Sequence, residues 1–492
     1  YQIGLSGGEA SLLYKFETSI SSYQWSPDGK TLGFIATKPE VKEKAALPYS
    51  PVLYEQNLSV QRIYMVEPGQ GEARELTVDG HFSALEWSPD GKKLICASAP
   101  TSLVDDSYMA VSLSMVDVAT MKVLATIDHQ GKMGDFQWSP DGTQIAFIAA
   151  SDLNDPTAGS LFVAPATGGK STILQKDWEG MFEQIIWQDP GQVHFIGSTG
   201  VESVYGIIKA DAKSKPVFQS IEKGFAISHF ELAANGRGLF LADSYNHPTE
   251  LFIEGAGQTA IKRMTDSNPV LKEIEFAKQE VVRYKAKDGL EIEGILIRPL
   301  HEESGKKYPL ITIVHGGPEA HFNNGWLTGY SNPGQTGAAE GYAVFYPNYR
   351  GSNGRGVKFS LTSQGDPAGK EFDDVVDGVD YLIASGLVDA TKVGVTGGSY
   401  GGYATGWLST RYSDRFAAGV MFVGISNNVS KWGTTDIPKE EYLVHARKWV
   451  YEDYDFFLKR SPVYYADQCK TPLLIMHGED DPRVHPGQSM EL

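Results

Sequence analysis

The chain has 492 residues, more than a single usual domain holds, and 61 acidic against 43 basic side chains give it a formal charge of −18. That balance argues against nucleic acid or an anionic membrane surface as partner, and no apolar run approaches the ~18 residues of a membrane span. Two cysteines, Cys96 and Cys469, cannot make a disulfide framework, and with no CxxC pair, HExxH or EF-hand loop in the chain neither metal nor cofactor is expected.

In chain order, the first half carries a repeated phrase. Trp25-Ser26-Pro27-Asp28-Gly29 returns as Trp87-Ser88-Pro89-Asp90-Gly91 and Trp138-Ser139-Pro140-Asp141-Gly142. Two degraded copies follow, Trp187-Gln188-Asp189-Pro190-Gly191 and Leu232-Ala233-Ala234-Asn235-Gly236. Pro-Asp-Gly is a tight turn between strands, with Pro presetting φ and Gly taking positive φ. Each copy leads into an alternating strand such as Leu32–Ile35 or Ile145–Ile148, and later into a second such as Arg62–Val66 or Ser160–Val163. A multi-stranded unit of roughly 40–60 residues is one blade of a β-propeller. Five blades are expected, with the tryptophans packed between them. Tyr1–Leu13 reads as the outer strands of a blade whose beginning is absent.

The repeats stop near Leu271–Phe276, where a new strand pair, Glu280–Pro299, begins. This divides the chain into a propeller over residues 1–273 and a second domain over 274–492. In the second part strands (Leu310–Val314, Tyr342–Pro347, Ala418–Phe422, Pro472–Met476) alternate with helical stretches such as Phe372–Ser385. That alternation predicts an α/β fold with a mostly parallel sheet covered on both faces.

The chemistry centres on Gly397-Gly398-Ser399-Tyr400-Gly401, directly after the apolar run Val393–Thr396 and before a helix from Tyr400 to Thr410. This is the GxSxG nucleophile elbow. Its glycines allow a turn too sharp for side chains, and the following helix aims amide dipoles at the developing charge. Upstream, Leu310–Val314 ends in His315-Gly316-Gly317-Pro318. Such a Gly-Gly turn offers a backbone N–H that, with that of Tyr400, makes an oxyanion hole. In Ser-Asp-His order the acid lies after a late strand, where Asp480 and Asp481 both compete. His315 precedes the serine and is assigned to shaping its loop or binding substrate.

A WSPDG-repeat propeller followed by GGSYGGY resembles the prolyl oligopeptidase family of serine peptidases, in particular its acylaminoacyl-peptidase and dipeptidyl-peptidase-like bacterial members. His315–Pro318, Asn348-Tyr349-Arg350-Gly351-Ser352 and Gly478–Val484 extend the likeness along the chain. The resemblance implies Ser399 as nucleophile, the amides of Gly317 and Tyr400 as oxyanion donors, and Asp481 as the triad acid. It matches Arg483 to an arginine that contacts a substrate carbonyl. Arg355 departs from the pattern, standing where relatives often carry an aromatic. The family places the base about 30 residues past the acid; His485 is four positions on, while His477 and His445 precede Asp481. The expectation is therefore a chain cut at both ends, inactive by itself, with its triad histidine beyond Leu492.

The expected activity is hydrolysis of short peptides through an acyl-enzyme, possessing an aminopeptidase-like character, with the propeller limiting substrate size. A carboxylesterase of the same fold and a catalytically dead interaction protein are the alternatives. Peptides are the expected partners, homo-oligomers are open, and the compartment is undecided between cytoplasm and periplasm or exterior.

Overall fold

The computed structural model describes all residues except 40–53, 56–57, 220–223 and 255–260. Among the described residues the first half forms five antiparallel blades of four strands, led by Ile20–Trp25, His81–Trp87, Met133–Trp138, Met181–Asp189 and Phe225–Leu232, and the second gains a fifth, parallel strand, Gly169–Lys170. The Ser-Pro-Asp-Gly phrase makes the same turn each time. Ser26 Oγ donates to Asp28 Oδ1 at 2.6 Å, Ser88 to Asp90 at 2.7 Å and Ser139 to Asp141 at 2.6 Å. Gly29, Gly91 and Gly142 follow at φ 69°, 67° and 69°, which only glycine adopts without cost.

Trp87 and Trp138 fasten their blade to the one before, whereas Trp25 is exposed and not packed between blades. The Trp87 indole N–H donates to the Gln24 carbonyl at 3.2 Å, and that of Trp138 to the Glu86 carbonyl at 3.3 Å. Trp187, in a degraded copy, is buried but its indole N–H has no partner. At that seam Asp135 Oδ2 instead accepts the Ile185 N–H at 3.0 Å, and Gln184 ties the following seam by exchanging two hydrogen bonds with the backbone of Phe230. Tyr1–Leu13 forms no strand; it shows one isolated bridge, Gln2 to Ser11, and is almost wholly exposed.

A 3₁₀ turn, Pro269–Glu273, precedes the second sheet. Its seven strands are β1 (Gln279–Lys285), β2 (Glu291–Ile297), β3 (Tyr308–Val314), β4 (Ala343–Asn348), β5 (Val388–Gly398), β6 (Ala418–Phe422) and β7 (Leu473–Met476), in the order β1-β2-β4-β3-β5-β6-β7. The first two pairings are antiparallel and the remaining four parallel. Helix α1 (Lys370–Ala384) buries Phe372, Val375, Val376, Val379 and Leu382, at the 3–4-residue spacing of one helix face, against this sheet. Coverage on both faces holds only in part: Leu474 and Met476 are exposed, and an apolar groove of about 580 Å³ runs along Val393, Val395 and Val420.

The Asn348–Ser352 motif holds the carboxyl end of β4. Arg350 is buried and forks onto Asp374 of α1 at 2.8 and 2.7 Å and onto Asp288 at 2.8 and 3.0 Å. Bidentate pairs of this kind fix geometry as well as charge. Asn348 grips the backbone of Phe322 in both directions, at 2.8 and 3.0 Å.

Candidate active site

Ser399 lies between β5 and helix α2 (Tyr400–Arg411) at φ 59° and ψ −119°, a region that side chains rarely occupy. The turn has no room for others. A Cβ on Gly401 would stand 2.1 Å from the Val314 carbonyl oxygen, and one on Gly397 2.3 Å from the same atom. The Gly316-Gly317 loop after β3 passes close by, since a Cβ on Gly316 would lie 3.3 Å from Ser399 Cβ and 3.7 Å from Tyr400 N. Neither the Tyr400 nor the Gly317 N–H donates to a described acceptor, and both residues line one cavity with Ser399. Two free amides and a hydroxyl thus converge on a cavity of about 380 Å³.

His315 is not on the cavity wall. It is buried, stacks on Tyr349 at 4.2 Å, and bonds the Gly316 carbonyl and Ser352 Oγ, each at 2.8 Å. Burial pushes its pKa down to about 4, so the ring is neutral and shapes the loop. Asp480 is exposed. Asp481 is partly buried, with Oδ1 accepting the N–H groups of Arg483 and Val484 at 2.9 and 3.0 Å and Oδ2 lying 3.7 Å from His477 Nε2. Arg483 reaches the cavity wall, but its guanidinium is engaged by Asp436 at 2.5 and 3.4 Å and by the Tyr108 hydroxyl at 3.1 Å. Arg355, where an aromatic was expected, lies 4.1 Å over the Phe359 ring and donates to the Glu291 carbonyl.

Among the described residues no side chain hydrogen-bonds Ser399 Oγ. His477 is engaged by the Val484 carbonyl and Ser489, and exposed His485 accepts the Gly487 N–H. His445 lines the cavity, but its Nε2 bonds Glu319 at 2.8 Å.

Sequence reasoning missed a buried charge cluster on the same wall. Lys132, from the propeller, ion-pairs with Glu440 and lies 3.5 Å from Glu319. Burial works against its charge, but the two carboxylates outweigh it and raise its pKa. Glu319 is burdened by the same burial and is nonetheless held ionised by His445 and Lys132. Lys431 pairs with Glu441, yet burial draws its pKa down to about 7. Ligand atoms of Glu319, Glu440 and His445 lie within 4.8 Å of one another, a spacing that suits a metal ion, but the Lys132 ammonium already pairs with two of the three. The Lys439-Glu440-Glu441 run was the one sequence signal for this wall.

A short helix on the propeller side, Val104–Met109, supports the segment that carries these acids. Asp105 accepts the N–H groups of Lys439 and Glu440, and Asp106 accepts from Lys439 Nζ at 2.7 Å.

A propeller joined to a mostly parallel sheet, with a serine on a strained strand-to-helix turn beside free amides, defines a propeller-bearing α/β-hydrolase. Residues 329–492 match the prolyl oligopeptidase family. The uncharacterized peptidase YuxL of Bacillus subtilis is 30% identical, over 95% of this chain and 82% of its own length. Dipeptidyl-peptidase 5 of Porphyromonas gingivalis is 27% identical, and the match spans 82% of this chain but 60% of that protein. An acylaminoacyl peptidase of Pyrococcus horikoshii has the same fold, with a TM-score of 0.78 at 21% identity, covering 97% of this chain and 74% of that one. The chain belongs to the prolyl oligopeptidase family and is a hydrolase of peptidase type. No described helix is long and apolar enough to cross a membrane.

Proposed function

We propose that the chain is a serine peptidase acting on short peptides through an acyl-enzyme, with Ser399 as nucleophile and Asp481 as the triad acid. The observation that carries this reading is the strained Ser399 turn facing the two unpaired N–H groups of Tyr400 and Gly317. Ser399 Oγ attacks the peptide carbonyl carbon and gives its proton to the base. The oxyanion that forms is held by the two amides. Collapse expels the amine, protonated by the base, and water then releases the acyl group. Asp481 suits the acid role because two amides fix Oδ1 while Oδ2 is left to orient an imidazole. His477, His485 and His445 are each engaged elsewhere, so the proposal assigns none of them as the base.

Tyr108 and Lys132 of the propeller form part of the cavity wall. This favours size-limited peptides over small esters, which need no such wall. His315 is assigned to positioning the oxyanion loop, and Arg483 to joining that wall to the propeller rather than to free substrate contact. The boundary at 273/274 is retained as the division between the two functional parts.

The test is fluorophosphonate labelling of the natural protein beside Ser399→Ala. Labelling of wild type alone is expected, and equal labelling of both overturns the assignment.

A further inference from the structure

We propose that Lys132 is a specificity-determining residue: its ammonium fills a site, built by Glu319 and Glu440, that would otherwise take the free α-ammonium of a peptide. The inference rests on the assignment of the Ser399 cavity as the peptide site.

Three observations carry it. The two carboxylates come from separate places, the loop after β3 and the segment after Ile437, yet they converge on one cation. That cation is delivered from the propeller. Gly131, at φ 104° with no room for a Cβ (2.6 Å from the Asp152 carbonyl oxygen), turns the chain there. The Lys132 carbonyl is then pinned by the Ala150 N–H at 2.8 Å. Lastly, Lys132, Glu319 and Glu440 share the cavity wall with Ser399, at a volume in the range of small-ligand sites. His445, more than nine-tenths buried on that wall, turns its Nε2 to Glu319 at 2.8 Å and its Nδ1 toward Glu441 at 3.4 Å.

The consequence is chemical. Two buried carboxylates facing a peptide cavity bind a cation, because an uncompensated buried charge is costly. With Lys132 in place that need is met from within. An incoming free amino terminus meets a like charge and no free carboxylate. A blocked terminus brings a neutral carbonyl that can accept from an ammonium with three donors. The propeller thus sets the end-group preference of a cavity whose nucleophile belongs to the other half.

The experiment measures binding by calorimetry in a Ser399→Ala background, using Ala-Phe and N-acetyl-Ala-Phe. With Lys132 present, the acetylated dipeptide is expected to bind about tenfold more tightly. Lys132→Met, which keeps the length and removes the charge, should raise affinity for free Ala-Phe by about tenfold or more, the size of one charge-assisted hydrogen bond. The acetylated ligand should lose affinity or stay level. A preference for free Ala-Phe with Lys132 present overturns the proposal whether or not the variant folds. So does an unchanged ratio of the two ligands in a folded Lys132→Met. Cleavage of either peptide in the Ser399→Ala background would instead sink the assignment of the nucleophile on which the proposal stands.

Discussion

Asp105 accepts the backbone N–H groups of both Lys439, at 2.6 Å, and Glu440, at 2.9 Å. One propeller carboxylate therefore orders the opening of the segment that carries Glu440, Glu441 and His445 on the cavity wall. A charge-assisted hydrogen bond contributes about 1.5–3 kcal/mol. Asp105→Ala should accordingly speed amide exchange at Lys439 and Glu440 by tenfold or more while leaving the β5 amides protected. Exchange rates at 439 and 440 equal to wild type would show that the segment orders itself.

Gly401 and Gly394 offer a paired test of the elbow. A Cβ at 401 meets backbone at 2.1 Å, whereas at 394 the nearest atom is 3.6 Å away. Gly401→Ala should cost at least about 2 kcal/mol in urea unfolding, as overpacking against backbone does. Gly394→Ala should lie within about 1 kcal/mol of wild type, on the stabilising side, because it restricts the unfolded chain. Similar losses for the two would contradict the close approach of α2 to β3.

Ser399 bears the strain of positive φ itself. Residues in such regions cost about 1–3 kcal/mol, so Ser399→Gly should raise unfolding stability by about 1 kcal/mol while abolishing labelling. A variant less stable than wild type would mean that the hydroxyl makes a compensating contact.

Glu371 supplies a pH signature. Burial raises its carboxyl from 4.5 to about 8, and the Tyr400 hydroxyl donates to it at 3.0 Å. Between those values the folded protein keeps a proton that the unfolded chain releases. The unfolded state then binds fewer protons, so this group lowers stability as pH rises from about 4.5 to about 8. Glu371→Gln should remove that contribution. Measured by chemical denaturation, the variant should gain on wild type steadily across the window. A constant difference between the two would show that Glu371 is ionised in the folded state.

How much was legible in the sequence follows from how local each signal is. The Ser-Pro-Asp-Gly turns and the Ser399 elbow are complete within five to seven residues, and their physics is backbone sterics, so reading them required no tertiary knowledge. Strand ends in the second sheet moved by at most two residues, except at β5, which begins at Val388, five residues before the apolar run Val393–Thr396. The segment Asp436–Ala446 was opaque: it holds the short helix Pro438–Glu440 and then a π-helical stretch, Glu441–Ala446, that no hydrophobic period announces. Its partner Lys132 lies 308 residues from Glu440. Nothing near Lys132 distinguishes it from a surface lysine until the blades fix its direction. Likewise Arg483 reads as a substrate-facing arginine until Asp436 and Tyr108 are seen to hold it.

The anchoring of residues 439 and 440 by Asp105 bears on how such a protein can be rebuilt. Grafting the propeller of a relative onto this catalytic half would preserve both folds yet remove the acceptor at 105 and the cation at 132 together. The seam between the halves runs through the wall of the Ser399 cavity. Exchange of parts would therefore succeed only where the incoming propeller brings its own acid and its own lysine to the same two places.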